Sequence, residues 1–276
     1  MLCDYHVHTY YSDDSDYEME EVILDAIAKG IKEICFTDHV DYGIKIDPMG
    51  KSAEELEGKI LNVNYPEYFK EIAELKEKYK DKITIKQGME FGIQSHTVKQ
   101  FEKLFESYDF DFIILSCHQV GDKEFWTQDF QKGRTQKEYN ERYYQEILDV
   151  IKSYKNYSVL GHLDLINRYD KCGIYPFEKV RDMITEILKQ VIADGKGIEV
   201  NTSSVRYGLK DLTPSRDILK LYKELGGTIV TIGSDSHKEE HLGAYIEPIM
   251  GELKKLGFEN YCTFENMKPI YHKIEE

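Results

Sequence analysis

Short, almost wholly apolar runs alternate along the chain with longer stretches in which apolar residues recur every three or four positions. The first run, LCDYHV (2–7), precedes YEMEEVILDAIAKG, whose period predicts a helix from about 18 to 29 closed by Gly30. EICFTDH (33–39) reads as a buried strand. Phe69, Ile72, Leu75 and Tyr79 stripe a helix over 66–80, followed by the strand ITIKQGMEFG (83–92), a helix over 95–107 and the strand FDFIILSCH (110–118). Thr135 and Glu138 form a capping-box pair opening a helix to about 154, and SVLGH (158–162) is the fifth strand. Val180, Ile184, Ile187, Leu188 and Val191 stripe the next helix. GIEVNTS (197–203), a helix begun by Thr213 and Pro214 and stopped at Gly226 and Gly227, the strand GTIVTIGSDSH (227–237) and a helix to about 256 follow. FENYCTFEN (258–266) is expected to add a short edge strand.

Continuously apolar strands separated by amphipathic helices imply a parallel sheet covered by helices, and seven such units in succession suggest a barrel. A closed α/β barrel accommodates 276 residues around one core, so a single domain spanning 1–276 is expected. The segments 41–65 and 119–134 lack a clear period, follow strand ends, and are expected to roof a site.

Charge and cysteine usage narrow the function. The formal net charge of −15 argues against a protein that tracks a nucleic-acid backbone. There is no apolar run of membrane-spanning length and no signal-peptide pattern, so no membrane partner is expected and the cytoplasm is the expected compartment. Cys3, Cys35, Cys117, Cys172 and Cys262 are scattered and never form a CxxC pair, which fits buried hydrophobes in a reducing compartment better than disulfides or a thiolate metal site.

Six of the nine histidines fall at or just beyond the C-terminal ends of expected strands: His6, His8, His39, His118, His162 and His237. Glu90 and Asp235 stand at two more such positions. In a parallel barrel these ends share one face, so the eight side chains should converge on one cavity. His6 and His8 alternate along a strand and point to the same side. Any one of these histidines alone is as well explained as a hydrogen-bonded rim residue, but their joint placement points to bound metal, because buried carboxylates without a countercharge are costly. Imidazole and carboxylate without thiolate suit zinc, manganese or iron. His96 and His241, in expected helices, and His272, in the polar tail, are expected at the surface or rim.

In this order and these strand contexts, HVHTYYSDDS, TDH, GME, SCH, GH and SDSH resemble the motifs of the polymerase and histidinol phosphatase (PHP) family of metallophosphoesterases. PEYFKEIAELKEKYKDKI, GHLDLINRY and EVNTSSVRYG are similar to its stand-alone histidinol-phosphatase branch. The resemblance implies a distorted (β/α)7 barrel with three divalent metal ions that hydrolyses L-histidinol phosphate, a step of histidine biosynthesis. It implies that His6, His8, Glu90 and Asp235 hold one metal, that Glu90, His118 and His162 hold a second, and that Asp14, His39 and His237 hold a third. Asp14 is preferred over its neighbours Asp13 and Asp16 from its spacing after Ser12. Glu90, Asp235 and His237 are the expected catalytic centre, with a metal-bridging hydroxide attacking phosphorus in line. Arg168 and Arg206 follow strand ends and are candidates for forked hydrogen bonds to the phosphate. Tyr42, Phe125 and Trp126 in the expected roof would suit a cationic substrate tail, or equally core packing. A phosphoesterase acting on another small phosphomonoester, a phosphotyrosine protein or a nucleotide is the alternative. Oligomeric state is left open.

Overall fold

The computed structural model describes residues 1–275. Seven strands run parallel in the order β1 (Cys3–Val7), β2 (Glu33–Phe36), β4 (Thr84–Gly92), β5 (Phe112–Ser116), β6 (Val159–Leu160), β7 (Gly197–Asn201) and β8 (Val230–Gly233). β8 returns beside β1, where the backbone N–H of His8 donates to Ser236 O at 2.8 Å and that of Ser236 to His6 O at 3.1 Å, so the sheet nearly closes into the expected (β/α)7 barrel. The strands are buried on both faces, which explains why they read as apolar runs without alternation.

The helices lie where their apolar stripes put them, at Met19–Ala28, Tyr65–Tyr79, Val98–Ser107, Gln136–Ser153, Arg181–Ala193, Arg216–Glu224 and Ile246–Lys255. The capping box of Thr135 and Glu138 is formed on both sides.

Two departures from the periodic pattern bear on the site. The run 33–39 is not one strand: after β2 the chain breaks at Thr37 and Asp38, then resumes as β3 (His39–Val40), which pairs with β4 through His39 and Glu90. The break is stabilised by the buried Asp38 carboxylate, which accepts from the Thr9 backbone at 2.7 Å and from Ser12 Oγ at 2.7 Å, bonds a regular ladder would not provide.

At the other end of the barrel, the expected edge strand is half of an antiparallel hairpin, β9 (Asn260–Glu265) and β10 (Lys268–Lys273). Phe264 packs against Phe112 with centroids 5.0 Å apart and the rings tilted by 50°, Phe112 meets Tyr5 edge-on at 4.9 Å, and Phe264 N donates to Tyr5 Oη at 2.8 Å. The hairpin thus plugs the N-terminal end of the barrel and leaves only the C-terminal end open. β10 is largely solvent-facing, so no apolar pattern marks it, and His272 lies on this strand with its Nε2 2.7 Å from Thr263 Oγ1. His96 sits in a turn before its helix and His241 in a 3-10 turn, outside the α-helices expected to hold them.

Candidate active site

Glu90, near the end of β4, is the hub of the open end. It is fully buried, and its Oε1 lies 2.8 Å from His162 Nε2, 3.1 Å from His118 Nε2 and 2.6 Å from the donating Ser116 Oγ. Its Oε2 lies 3.1 Å from His6 Nε2, 3.0 Å from His39 Nδ1 and 3.6 Å from His8 Nε2. Asp235, just past β8, stands 3.7 Å from His6 Nε2, 3.6 Å from His8 Nε2 and 3.7 Å from His237 Nδ1. Side chains from six strand ends therefore meet in one volume, as a parallel barrel requires. Alternation along β1 sends His6 and His8 inward together and Val7 into packing.

Asp13 and Asp14, adjacent in the loop after β1, separate clearly. Asp14 Oδ2 is 3.1 Å from His237 Nε2 and 3.7 Å from His39 Nε2, whereas Asp13 forms an ion pair with Lys45. His39 bridges two groupings, with Nδ1 toward Glu90 and Nε2 toward Asp14.

Two carboxylates that motif reasoning passed over stand behind the histidines. Glu199 on β7 pairs with His6 Nδ1, and Asp41 lies 2.8 Å from His118 Nδ1 while forming an ion pair with Lys45 at 2.9 Å. An acid inside the apolar run GIEVN was the available signal for Glu199, and an acid two residues past His39 the signal for Asp41. The electrostatics follow from this crowding. Burial alone would push the Glu90 and Asp235 carboxyls up, but the surrounding imidazoles hold both well below the usual range. Burial opposes charge on His118, yet Glu90 and Asp41 raise it to about 9, while His8, buried and facing His237 and His39, is driven well below the ordinary histidine value.

The donor set fits divalent metal ions. His8, His39 and His237 offer nitrogens that lie within 4.8 Å of one another, as do the donor atoms of His6, His8 and Asp235, of His6, Glu90 and His162, and of His39, Glu90 and His118. His8 Nε2, His39 Nδ1 and His237 Nε2 are buried and lack a partner in hydrogen-bond geometry, a costly state unless a cation takes the lone pairs. In the metal-free state, protons on His6, His39 and His118, favoured by the neighbouring carboxylates against the pull of burial, supply countercharge that ions would otherwise bring.

Above the cluster lies a cavity of about 360 Å³. Ile44, Lys45 and Ile60 from the segment 41–65, and Gln119, Glu124 and Trp126 from 119–134, form its walls, so both aperiodic segments roof the site. Trp126 is half-exposed, whereas Tyr42 and Phe125 are buried in packing and Phe125 does not line the cavity. The two arginines part company. Arg168 lines the cavity, with Nη1 3.7 Å from Asp235 Oδ2, Nη2 donating to Ser203 Oγ at 2.5 Å, its guanidinium 4.1 Å from the Tyr207 ring centroid, and a buried Nε without a partner. Arg206 does not. Its guanidinium donates to Ser234 O at 2.8 Å and Asp235 O at 2.6 Å, bracing a turn in which Asp235 adopts a left-handed φ of 56°. Arg206, the other candidate for the phosphate, thus has its forked donors on two backbone carbonyls.

Comparison with known proteins places this geometry in context. A family model described as the PHP domain matches residues 4–203. The chain is 34% identical to a histidinol-phosphatase of Lactococcus lactis, over 96% of this chain and 95% of that protein. It is 30% identical to a probable histidinol-phosphatase of Thermotoga maritima, over 99% of this chain and all of that protein. A solved structure of the Lactococcus lactis histidinol phosphate phosphatase, complexed with zinc, L-histidinol and phosphate, superposes with a TM-score of 0.83 at 34% identity, covering 98% of each chain. Among the described residues of the present chain, no helix is long and apolar enough to cross a membrane.

Proposed function

The chain belongs to the PHP domain family, and from that membership and the geometry of its site we propose that it is a metal-dependent phosphatase hydrolysing L-histidinol phosphate to L-histidinol and phosphate, a step of histidine biosynthesis. One observation carries the reading: the imidazole and carboxylate cluster lies beneath a cavity sized for a small molecule, in a chain similar along 98% of its length to a phosphatase solved with zinc, L-histidinol and phosphate. In this reading residues 1–276 act as one barrel domain.

His6, His8, Glu90 and Asp235 would hold one ion, Glu90, His118 and His162 a second, and Asp14, His39 and His237 a third. Bound divalent ions would supply Lewis acidity toward the phosphoryl oxygens and lower the pKa of water. The chain's own residues do the rest. Arg168 keeps Nε free and Nη1 loosely held, so it offers donors to a phosphoryl oxygen beside Asp235. The roof segments wall the cavity above fully buried His6, His8 and Glu90, and such burial strengthens charge interactions. Glu124 and the rings of Trp126, Tyr169 and Tyr207 line the remaining wall, a combination that suits a substrate tail carrying an amine and an imidazole.

The test is hydrolysis of a panel of phosphate esters by the purified, zinc- or manganese-replete chain. L-Histidinol phosphate is expected to exceed a nucleoside monophosphate and phosphotyrosine by about 100-fold or more in kcat/KM. Glu90→Gln is expected to lose both bound metal and activity. Equal rates across the panel would refute the substrate assignment, and full activity in Glu90→Gln would refute the metal reading.

A further inference from the structure

Glu199 sits on β7 between Ile198 and Val200 and is 1% exposed. Its Oε1 pairs with His6 Nδ1, and its Oε2 accepts the His162 backbone N–H at 2.9 Å and the Asn201 side-chain N–H at 3.4 Å. One carboxylate therefore joins β1, the end of β6 and β7 directly behind two of the histidines that face Glu90. Among the described residues no lysine or arginine forms an ion pair with it. The barrel keeps space for it: a Cβ on Gly233 of β8 would come within 2.8 Å of Glu199 Oε1 and 2.3 Å of His6 Cβ.

A buried carboxylate held only for stability looks different in this same chain. Glu146, equally buried, accepts from Ser95 N at 2.7 Å and Ser95 Oγ at 2.8 Å and is neutralised by Arg142 at 2.5 Å. Asp41, behind His118, has Lys45. Glu199 has only an imidazole, and an imidazole that binds a metal must be neutral.

We propose that Glu199 is a positioning residue of the metal centre. As an acceptor at Nδ1 it keeps the proton of neutral His6 on that nitrogen, so that the lone pair of Nε2, 3.1 Å from Glu90 Oε2, faces the ion. Its charge strengthens His6 as a donor, and its grip on His162 N fixes the turn that carries the second histidine. The inference rests on the metal reading above and adds to it a residue outside the direct ligand set.

Stripped protein titrated with zinc against a chromophoric chelator tests it, using the wild type, Glu199→Gln and, as a control for losing a buried carboxylate elsewhere, Glu146→Gln. Glu199→Gln is expected to keep its fold by circular dichroism but to bind zinc about 10- to 100-fold more weakly in one class of sites, with Glu146→Gln unchanged. Nitrogen-15 histidine spectra of the zinc-loaded wild type are expected to show His6 protonated at Nδ1, a readout that needs no variant should Glu199→Gln fail to fold. Wild-type zinc affinity in folded Glu199→Gln, or an equal loss in Glu146→Gln, would overturn the inference while leaving the metal reading intact; a His6 proton on Nε2 in the zinc-loaded protein would overturn the inference and also remove His6 from the ligand set. Absence of zinc binding by the wild type would overturn both.

Discussion

Replacing Arg168 with methionine preserves most of its apolar stem and removes only the guanidinium. In the structure that group offers a buried Nε without a partner and an Nη1 at 3.7 Å from Asp235 to the cavity, while Nη2 is already bound to Ser203 Oγ. If the cavity takes a phosphate dianion, the variant loses at least one charge-assisted bond, worth about 1.5–3 kcal/mol. At about 1.4 kcal/mol per tenfold, kcat/KM for L-histidinol phosphate should fall roughly 10- to 100-fold. The inhibition constant of inorganic phosphate should rise in step, because product and substrate share the contact. The stability cost is smaller: the Ser203 bond and the stacking on Tyr207 together contribute about 1–2 kcal/mol, a few degrees in Tm. Arg206→Met is the contrasting variant. Its donors serve the Ser234 and Asp235 carbonyls, so Tm should fall while phosphate inhibition changes less. Steady-state kinetics with phosphate as inhibitor, run beside thermal unfolding, separate the two. Unchanged phosphate affinity in Arg168→Met, or a larger loss in Arg206→Met, would refute this division of roles.

The metal-free protein should lose stability as pH rises from about 6.5 to 9. His118 is raised to about 9 in the fold by Glu90 and Asp41 against the pull of burial, so its contribution is complete below the ordinary value of about 6.5 and lost through 9, at most ~3 kcal/mol. The metal-loaded protein, whose ligating imidazoles are already neutral, should lack this loss, and urea unfolding at several pH values would show whether the two slopes differ. Gly92→Ala places a Cβ 1.8 Å from Asp41 Oδ1 and 3.0 Å from His118 Nδ1, so Asp41 must move; bound metal and activity are expected to drop at least about tenfold, and an alanine variant with full metal content would show that the contact is dispensable. Thr135→Ala removes a formed capping box that does not line the cavity and should cost about 1 kcal/mol with kcat/KM unchanged, as chemical denaturation and kinetics would measure.

The sequence by itself determined the architecture and most of the cluster. Strand and helix periods record which side of each element is buried, a local property, so the barrel units and the histidines at their ends were legible from neighbouring residues alone. Asp14 was separable from Asp13 only by spacing, and the structure shows the difference as a partner: Lys45, 32 residues away, takes Asp13. β10 is not legible in the sequence because a solvent-facing hairpin strand carries no apolar period. Only the tertiary structure decided what the lone charges do. Glu199 reads as an isolated acid in an apolar run until closure of the barrel brings it against His6, 193 positions distant. Arg206 reads as a candidate for the phosphate, and only the fold shows that its donors meet the two carbonyls of the turn at Asp235, where the backbone is left-handed. The physical reason is the same in each case: burial preference is a property of a residue and its near neighbours, whereas the partner of a buried charge is chosen by contacts between strands far apart in the chain.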